Sequence, residues 1–346
     1  MVRVTTPSTL PSPTTPDPMD APVLRWGILA PGGIAAAFAA ALLAGTGQQI
    51  VACGSRSLPR AREFASQFGG FTAYGSYEEL VADPNVDVVY VASPHSAHRE
   101  HALLALRAGK PVLVEKAFAR NTSEATEVID EARSRGLFCM EAMWSRFLPR
   151  YDVVRQAVAD GLLGDLQTIV ADHGQLLYPD GPQRLADPAL AGGALLDLGI
   201  YPISLAAMLL PGDLDISASG VLTPEGVDRS GTIVLTGADT IATCVTTMSA
   251  QTANTAVIAG SSARLELPGW FYQRGPVRLV SPDDTVLDRF DPPVTEHGLH
   301  FEAVESARRI SAGDVESPLM PWDETLRIMR IMDEVRAQLG VRYPGE

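Results

Sequence analysis

Lys116, Asp197 and Tyr201 are the residues of this chain best suited to acid–base chemistry. Lys116 follows Glu115 at the end of the apolar run VLVEK, and Asp197 and Tyr201 stand four apart in GGALLDLGIYP. A spacing of four places two side chains on one face of a helix. A lysine and a tyrosine make a workable pair for hydride transfer at a carbinol carbon. The phenol takes the alcohol proton, and the ammonium lowers the phenol's pKa. Tyrosine, at about 10, must fall by about 3 units to act near neutrality, roughly 4 kcal/mol. One ammonium at about 4 Å, in an effective dielectric of about 20, supplies about 4 kcal/mol, and burial of the phenol opposes it. On spacing alone, a capping Asp197 and a packed Tyr201 account for the pair equally well.

Four further segments could hold a ligand. WGILAPGGIAAAF joins a strand to an Ala-rich helix, and the G-x-G-x-x-G/A fingerprint falls on Ala30-Pro31-Gly32-Gly33-Ile34-Ala35. Such a turn sets a dinucleotide pyrophosphate against the helix N-terminus, where free amides and the helix dipole favour anions. The first glycine of the fingerprint is Ala30, so the turn alone is weak evidence. After the next strand, NAD sites usually carry an acid for the ribose hydroxyl. CGSRSLPR offers Ser55, Arg56 and Arg60 there and no carboxylate, which points to the 2′-phosphate of NADP, with NAD as the lesser option. In SPHSAHREH, three of the six histidines lie between Ser93 and His101. Zinc helices more often place ligands at i and i+4 with an acid nearby. No metal site is therefore expected: Ser93, Pro94 and His95 or His98 are read as nucleotide contacts and His101 as a helix surface residue. In EAMWSRF, Trp144 and Arg146 are candidates for the substrate pocket edge, or for plain packing and an ion pair.

The elements that must position these residues follow from the apolar pattern. From Val23 to about Pro149, short buried runs (VLRWGILA, QQIVACGS, VDVVYVAS, KPVLVEKA) alternate with helix-like stretches, as in a parallel sheet with crossovers. The histidine loop and Lys116 then fall at carboxyl ends of strands, the ligand edge of such sheets. Beyond it, β-branched runs separated by turns (GTIVLTG, DTIATCVTTMSAQ, TAVIAGSSARLELPG, VRLVSPDDTVLDRF) indicate an antiparallel sheet. The chain of 346 residues thus divides into a Pro/Thr/Ser-rich flexible arm (1–21), a nucleotide-binding domain (22–149) and an α+β substrate domain (150–346).

Composition excludes several classes. The formal charge is −14 with no basic block, against nucleic acid as a partner. No segment reads as the ~20 apolar residues of a membrane span. Cys53, Cys139 and Cys244 are widely separated with no CxxC, which suits a reducing cytoplasm. In DTIATCVTTMSAQ, neither the face of Ile241, Thr243, Val245 and Thr247 nor that of Ala242, Cys244, Thr246 and Met248 is charged. Two such faces need two covers, and a homodimer through this sheet is the expected second.

The run from Trp26 to about Tyr343 resembles the Gfo/Idh/MocA oxidoreductases. It is most similar to their branch of dimeric dihydrodiol dehydrogenases and NADP-dependent D-xylose dehydrogenases. The segments carrying the resemblance are YGSYEELVADPNVDVVYVASPHSAH, VLVEKAFARN, EARSRGLFCMEAMWSRFLP, LGDL and AGGALLDLGIYP. It implies a Rossmann domain followed by a domain with an open, mostly antiparallel sheet. It places the family's Glu-Lys-Pro lysine on Lys116, its Asp-x-x-x-His/Tyr pair on Asp197 and Tyr201, and its Thr-Pro-Asn-x-x-His loop on residues 93–98. Ala117 stands where the family has proline, so any special lysyl–prolyl geometry is expected to be lost. The activity implied is NAD(P)-dependent oxidation or reduction of a sugar, polyol or cyclic diol, with Tyr201 as acid–base, Lys116 tuning it and Asp197 positioning substrate or lysine. The same fold also serves a non-catalytic nucleotide-binding regulator and an NAD-retaining glycosidase.

Overall fold

Strand β1 (Arg25–Leu29) is buried from its second residue on, as the centre of a parallel sheet requires. The structure, a computed structural model, describes residues 8–292 and 298–346. Around β1 lie β2 (Gln49–Gly54), β3 (Thr72–Tyr74), β4 (Val88–Val91), β5 (Val112–Glu115) and β6 (Cys139–Ala142). Their order is β3-β2-β1-β4-β5-β6, every pair parallel. The order reverses between β1 and β4, so their carboxyl ends open onto the crevice where doubly wound sheets take ligands. The crossovers are α1 (Gly33–Gly45), α2 (Leu58–Gln67), α3 (Tyr77–Ala82), α4 (His98–Arg107) and α5 (Thr122–Arg135).

The second sheet has eight strands: β7 (Leu166–Gly174), β8 (Asp215–Leu222), β9 (Asp228–Thr236), β10 (Ile241–Thr247), β11 (Ala256–Gly260), β12 (Arg264–Leu267), β13 (Val277–Val280) and β14 (Val286–Phe290). The order is β14-β13-β12-β11-β7-β10-β9-β8. Only β7 and β10 run parallel, so the sheet is mixed and mostly antiparallel. The apolar pattern did not mark β7 or β8. The remaining helices are α6 (Pro149–Ala159), α7 (Ile200–Leu209), α8 (His300–Ala312) and α9 (Trp322–Leu339). Pro202 falls in the first turn of α7, where a missing amide costs little.

Two compact units emerge, and they are not the contiguous domains expected. One comprises Pro16–Phe147 and Thr295–Arg330, the other Met1–Thr15, Leu148–Val294 and Ile331–Glu346. The reason is visible at β6, the edge of the parallel sheet. Cys139 donates its amide to Val315 (3.0 Å) and accepts the Trp322 indole N–H (2.8 Å), so the chain after α8 covers that edge. These partners lie too far along the chain for any local pattern to announce.

The arm also differs from expectation in its described part. Asp152 Oδ2 accepts the amides of Thr14 (2.5 Å) and Thr15 (3.1 Å), and Asp288 accepts that of Leu10 (2.7 Å). Prolines already hold the segment extended, so docking it costs less chain entropy. Residues 1–7 of the arm lie outside the described residues. A second difference concerns the apolar content. Pro188–Leu209 (22 residues, mean hydropathy 1.5) is long and apolar enough for a membrane span, but 94% of its apolar window is buried, as in a core segment.

Candidate active site

The first βα turn is built for an anion. Ala30 carries the left-handed backbone (φ +66°) that the fingerprint glycine would supply. Gly32 is the N-cap of α1, and no side chain caps the helix. A Cβ at Gly32 or Gly33 would meet no protein atom within 4 Å, so packing does not demand glycine there. Close approach of a ligand to the amides of residues 33–35 does, and a 13-residue helix supplies the dipole. Ile34 is exposed beside them. At the end of β2, Ser55 is buried and accepts the Ser57 amide (3.2 Å), while Arg56 and Arg60 are exposed. The residues present therefore fit a dinucleotide.

Within the histidine loop, His98 does a different job from the one expected. His98 is buried, with Nδ1 2.8 Å from the Ala117 carbonyl and Nε2 2.7 Å from that of Ser93. Both ring nitrogens are committed to backbone, so His98 is a clamp and not a nucleotide contact. Burial pushes its pKa down to about 4 while the two carbonyls pull it up, and only the protonated ring donates to both of them. His95 Nε2 lies 3.2 Å from the Lys116 carbonyl. The two imidazoles thus hold the carbonyls on either side of the Lys116–Ala117 peptide, which is cis. His101 is half-buried, its ring edge against Tyr77 (4.6 Å), and is not a surface residue. Among the described residues no group of three or more His, Cys, Asp or Glu is arranged to hold a metal. Ser93 Oγ, buried just past β4, has no hydrogen-bond partner among the described residues.

Glu115 accepts the Tyr90 hydroxyl and, at 3.2 Å, the Lys116 amide. Trp144 and Arg146 belong to one short 3-10 turn, Trp144–Phe147, and both are buried. Arg146 pairs with Glu324 at 2.7 Å. Two further buried acids of this unit, Glu141 and Glu302, carry no motif that marks them in the sequence. Both carboxylate oxygens of Glu302 lack a partner, and burial, with Glu115 and Glu141 nearby, holds its pKa well above the usual range.

Asp197 and Tyr201 lie in the other unit, and not on one α-helical face. Asp197 is in a π turn, Leu195–Gly199, that runs into α7, and Tyr201 is in the first turn of α7. Gly193 (φ +113°) permits this start: a Cβ would lie 2.1 Å from Asp228 Oδ1, and Asp228 Oδ2 accepts the Leu195 amide at 2.5 Å. Asp197 Oδ1 accepts Arg184 Nη2 at 3.1 Å. Tyr201 packs against the rings of Tyr272 (4.4 Å) and His173 (5.1 Å), and these two stack at 4.2 Å. His173 Nδ1 faces the Leu198 carbonyl (3.0 Å) and Nε2 the Gln175 amide nitrogen (2.9 Å), which fixes the Nδ1–H tautomer. Arg184, Tyr272 and the pair His173 and Gln175 at the end of β7 escaped sequence reading because they lie on elements other than that of Tyr201, with no spacing to link them to it.

Residues 24–143 match the model of an oxidoreductase family with an NAD-binding Rossmann fold, Gfo/Idh/MocA, and residues 151–266 that of its C-terminal domain. The trans-1,2-dihydrobenzene-1,2-diol dehydrogenase of Macaca fascicularis is 39% identical over 337 residues, covering 93% of this chain and 99% of that protein. The human protein of the same name is 38% identical over 339 residues, with the same coverage. Among solved structures, KijD10, a 3-ketoreductase from Actinomadura kijaniata in complex with NADP and TDP-benzene, is 27% identical with a TM-score of 0.83, covering 92% of this chain and 98% of that one. The aldose-aldose oxidoreductase of Caulobacter crescentus, 24% identical with a TM-score of 0.80 and coverage of 92% and 97%, shares the fold.

Proposed function

The chain belongs to the Gfo/Idh/MocA family of nicotinamide-dependent oxidoreductases, and from that premise we propose an NADP-preferring dehydrogenase or reductase acting on a secondary alcohol of a cyclic diol or sugar. The observation that carries the reading is the uncapped, open turn at Gly32 and Gly33, followed at the end of β2 by two exposed arginines and no carboxylate. The amides of residues 33–35 hold the pyrophosphate. Ser55, Arg56 and Arg60 hold the 2′-phosphate, and Ser93, Pro94 and His95 line the nicotinamide side. When bound, the cofactor accepts or donates the hydride.

The chain's own groups handle the proton. Tyr201 exchanges it with the substrate hydroxyl, and Lys116 is the proposed cation that favours the phenolate. Asp197, held by Arg184, positions the substrate. Trp144 and Arg146 are the proposed substrate contacts of the turn at Trp144–Phe147. The relatives' names support the substrate class, a vicinal diol or an aldose. The three buried free thiols suit a reducing cytoplasm, and the uncharged stretch of β10 on the open face, with Val170 and Ile241 exposed beside it, suits a two-fold homodimer.

The test is a panel of trans-1,2-dihydrobenzene-1,2-diol, D-xylose and inositols, followed by NADPH absorbance. Tyr201→Phe should lower turnover about 10²–10⁴-fold with unchanged melting; near-normal turnover removes tyrosine from the role. Arg56→Asp should raise the KM for NADP far more than that for NAD. Equal loss for both cofactors would mean that Arg56 does not read the 2′-phosphate.

A further inference from the structure

We propose that Tyr272 is the positioning residue for Tyr201, and that buried Arg150 fixes Tyr272 by organising the loop that carries it. The inference rests on the acid–base role of Tyr201 proposed above. Tyr272 sits in the turn between β12 and β13 and is 4% exposed. Its ring, those of Tyr201 (4.4 Å) and His173 (4.2 Å), and the His173–Tyr201 contact (5.1 Å) close a three-ring cluster, and its hydroxyl accepts the Gln175 amide at 3.2 Å. His173 and Gln175 are themselves held, one by the Leu198 carbonyl and the other by the His173 ring. Tyr201 therefore packs against a ring that is itself held by His173 and, through its hydroxyl, by Gln175.

The loop under Tyr272 has no regular structure of its own. It is wrapped around one guanidinium. Arg150, fully buried near the start of α6, donates to the carbonyls of Pro276 (2.9 Å), Gln273 (3.1 Å), Phe271 (3.2 Å), Pro268 (3.3 Å) and Trp270 (3.4 Å). Among the described residues Arg150 makes no salt bridge, so these carbonyl dipoles are the environment of its charge. Gly275 completes the fit, since a Cβ there would lie 2.8 Å from Arg150 Nη1. A buried cation surrendering all its hydrogen bonds to one loop is costly unless the loop closes around it. That closure sets where the Tyr272 ring stands, on either side of which the peptide groups of Phe271 and Gln273 are held.

Misplacing a catalytic group by about 1 Å costs on the order of 10²-fold in rate. With trans-1,2-dihydrobenzene-1,2-diol or D-xylose and NADP, Tyr272→Leu should lower kcat about 10–100-fold and leave KM within about 3-fold. Tyr272→Phe, which keeps the ring, should restore kcat to within about 3-fold. Arg150→Lys supplies fewer donors and should also lower kcat. Combined with Tyr272→Leu it should add nothing, because both act through one ring. Normal turnover by folded Tyr272→Leu overturns the proposal, as does a loss confined to KM or a Phe variant as impaired as Leu. A multiplicative double variant overturns the role of Arg150. Should Tyr272→Leu fail to melt cooperatively, Arg150→Lys decides: unchanged kcat overturns the proposal. An active Tyr201→Phe removes the acid–base reading and this inference together. An inactive Tyr201→Phe beside a fully active Tyr272→Leu removes this inference alone.

Discussion

Ala30 carries a conformation that its side chain opposes. At φ +66° an L-residue clashes with its own backbone, at a cost of roughly 1–2 kcal/mol. Glycine has no such cost, and the turn holds its shape through the Ala30 amide's bond to the Gly54 carbonyl (3.1 Å), which a glycine would keep. Ala30→Gly should therefore raise stability by about 1 kcal/mol, after the entropy glycine adds to the unfolded chain is subtracted. The measurement is the urea midpoint at unchanged slope, and an equal or lower midpoint contradicts the argument. His98 shows the same principle from the other side. Its residue type suggested ligand chemistry, but its two neighbouring carbonyls absorb both nitrogens.

At the scale of elements, β6 joins the parallel sheet to the helices that return to it. Its Glu141 accepts the Phe118 amide (3.0 Å) and the Thr325 hydroxyl (3.2 Å). Burial nonetheless pushes the carboxyl from 4.5 up to about 7, with Arg146 opposing and Glu324 assisting. A raised carboxyl pKa means that the folded state holds a proton which the unfolded chain has released. The stability tied to that proton is complete below about pH 4.5 and falls as pH rises to about 7. Glu141→Gln cannot ionise and still bonds both partners, so its stability should lack this decline. Relative to the variant, the native chain should lose on the order of 3 kcal/mol between about pH 4.5 and about pH 7.5. Parallel urea curves across that range for the two proteins would contradict it.

For the whole molecule, the proposed homodimer rests on the open face of the second sheet. In β10, Ala242, Cys244 and Thr246 are buried, and Thr246 reaches the Ala194 carbonyl at 3.3 Å, so the π turn before α7 covers that face. The other face carries Val234, Thr243, Val170 and Val257 side by side across β9, β10, β7 and β11. Val170 and Ile241 are 48% and 43% exposed there. A second copy of this sheet is the partner proposed for it. Cys244→Arg should unfold its unit, because it forces a charge into the chain's own core. Val245→Arg should leave the fold intact and halve the particle mass in light scattering. A native monomer at micromolar concentration would remove the dimer.

The sequence alone determined what depends on near neighbours. Apolar runs alternating with helices gave the parallel sheet, because buried strands and crossover helices differ in local period. The βα turn at Gly32, the arginines after β2, and Lys116 at a strand end were legible for the same reason: each is positioned by the strand just before it. The tertiary structure decided everything set by partners distant in the chain. It placed α8 and the first half of α9 with the parallel sheet, because the edge of β6 needed a cover. It gave Asp197 to Arg184, turned His98 into a clamp, and set Tyr272 on Tyr201 through a loop closed around Arg150. Strand order and loop closure create those neighbours, and a linear pattern records neither.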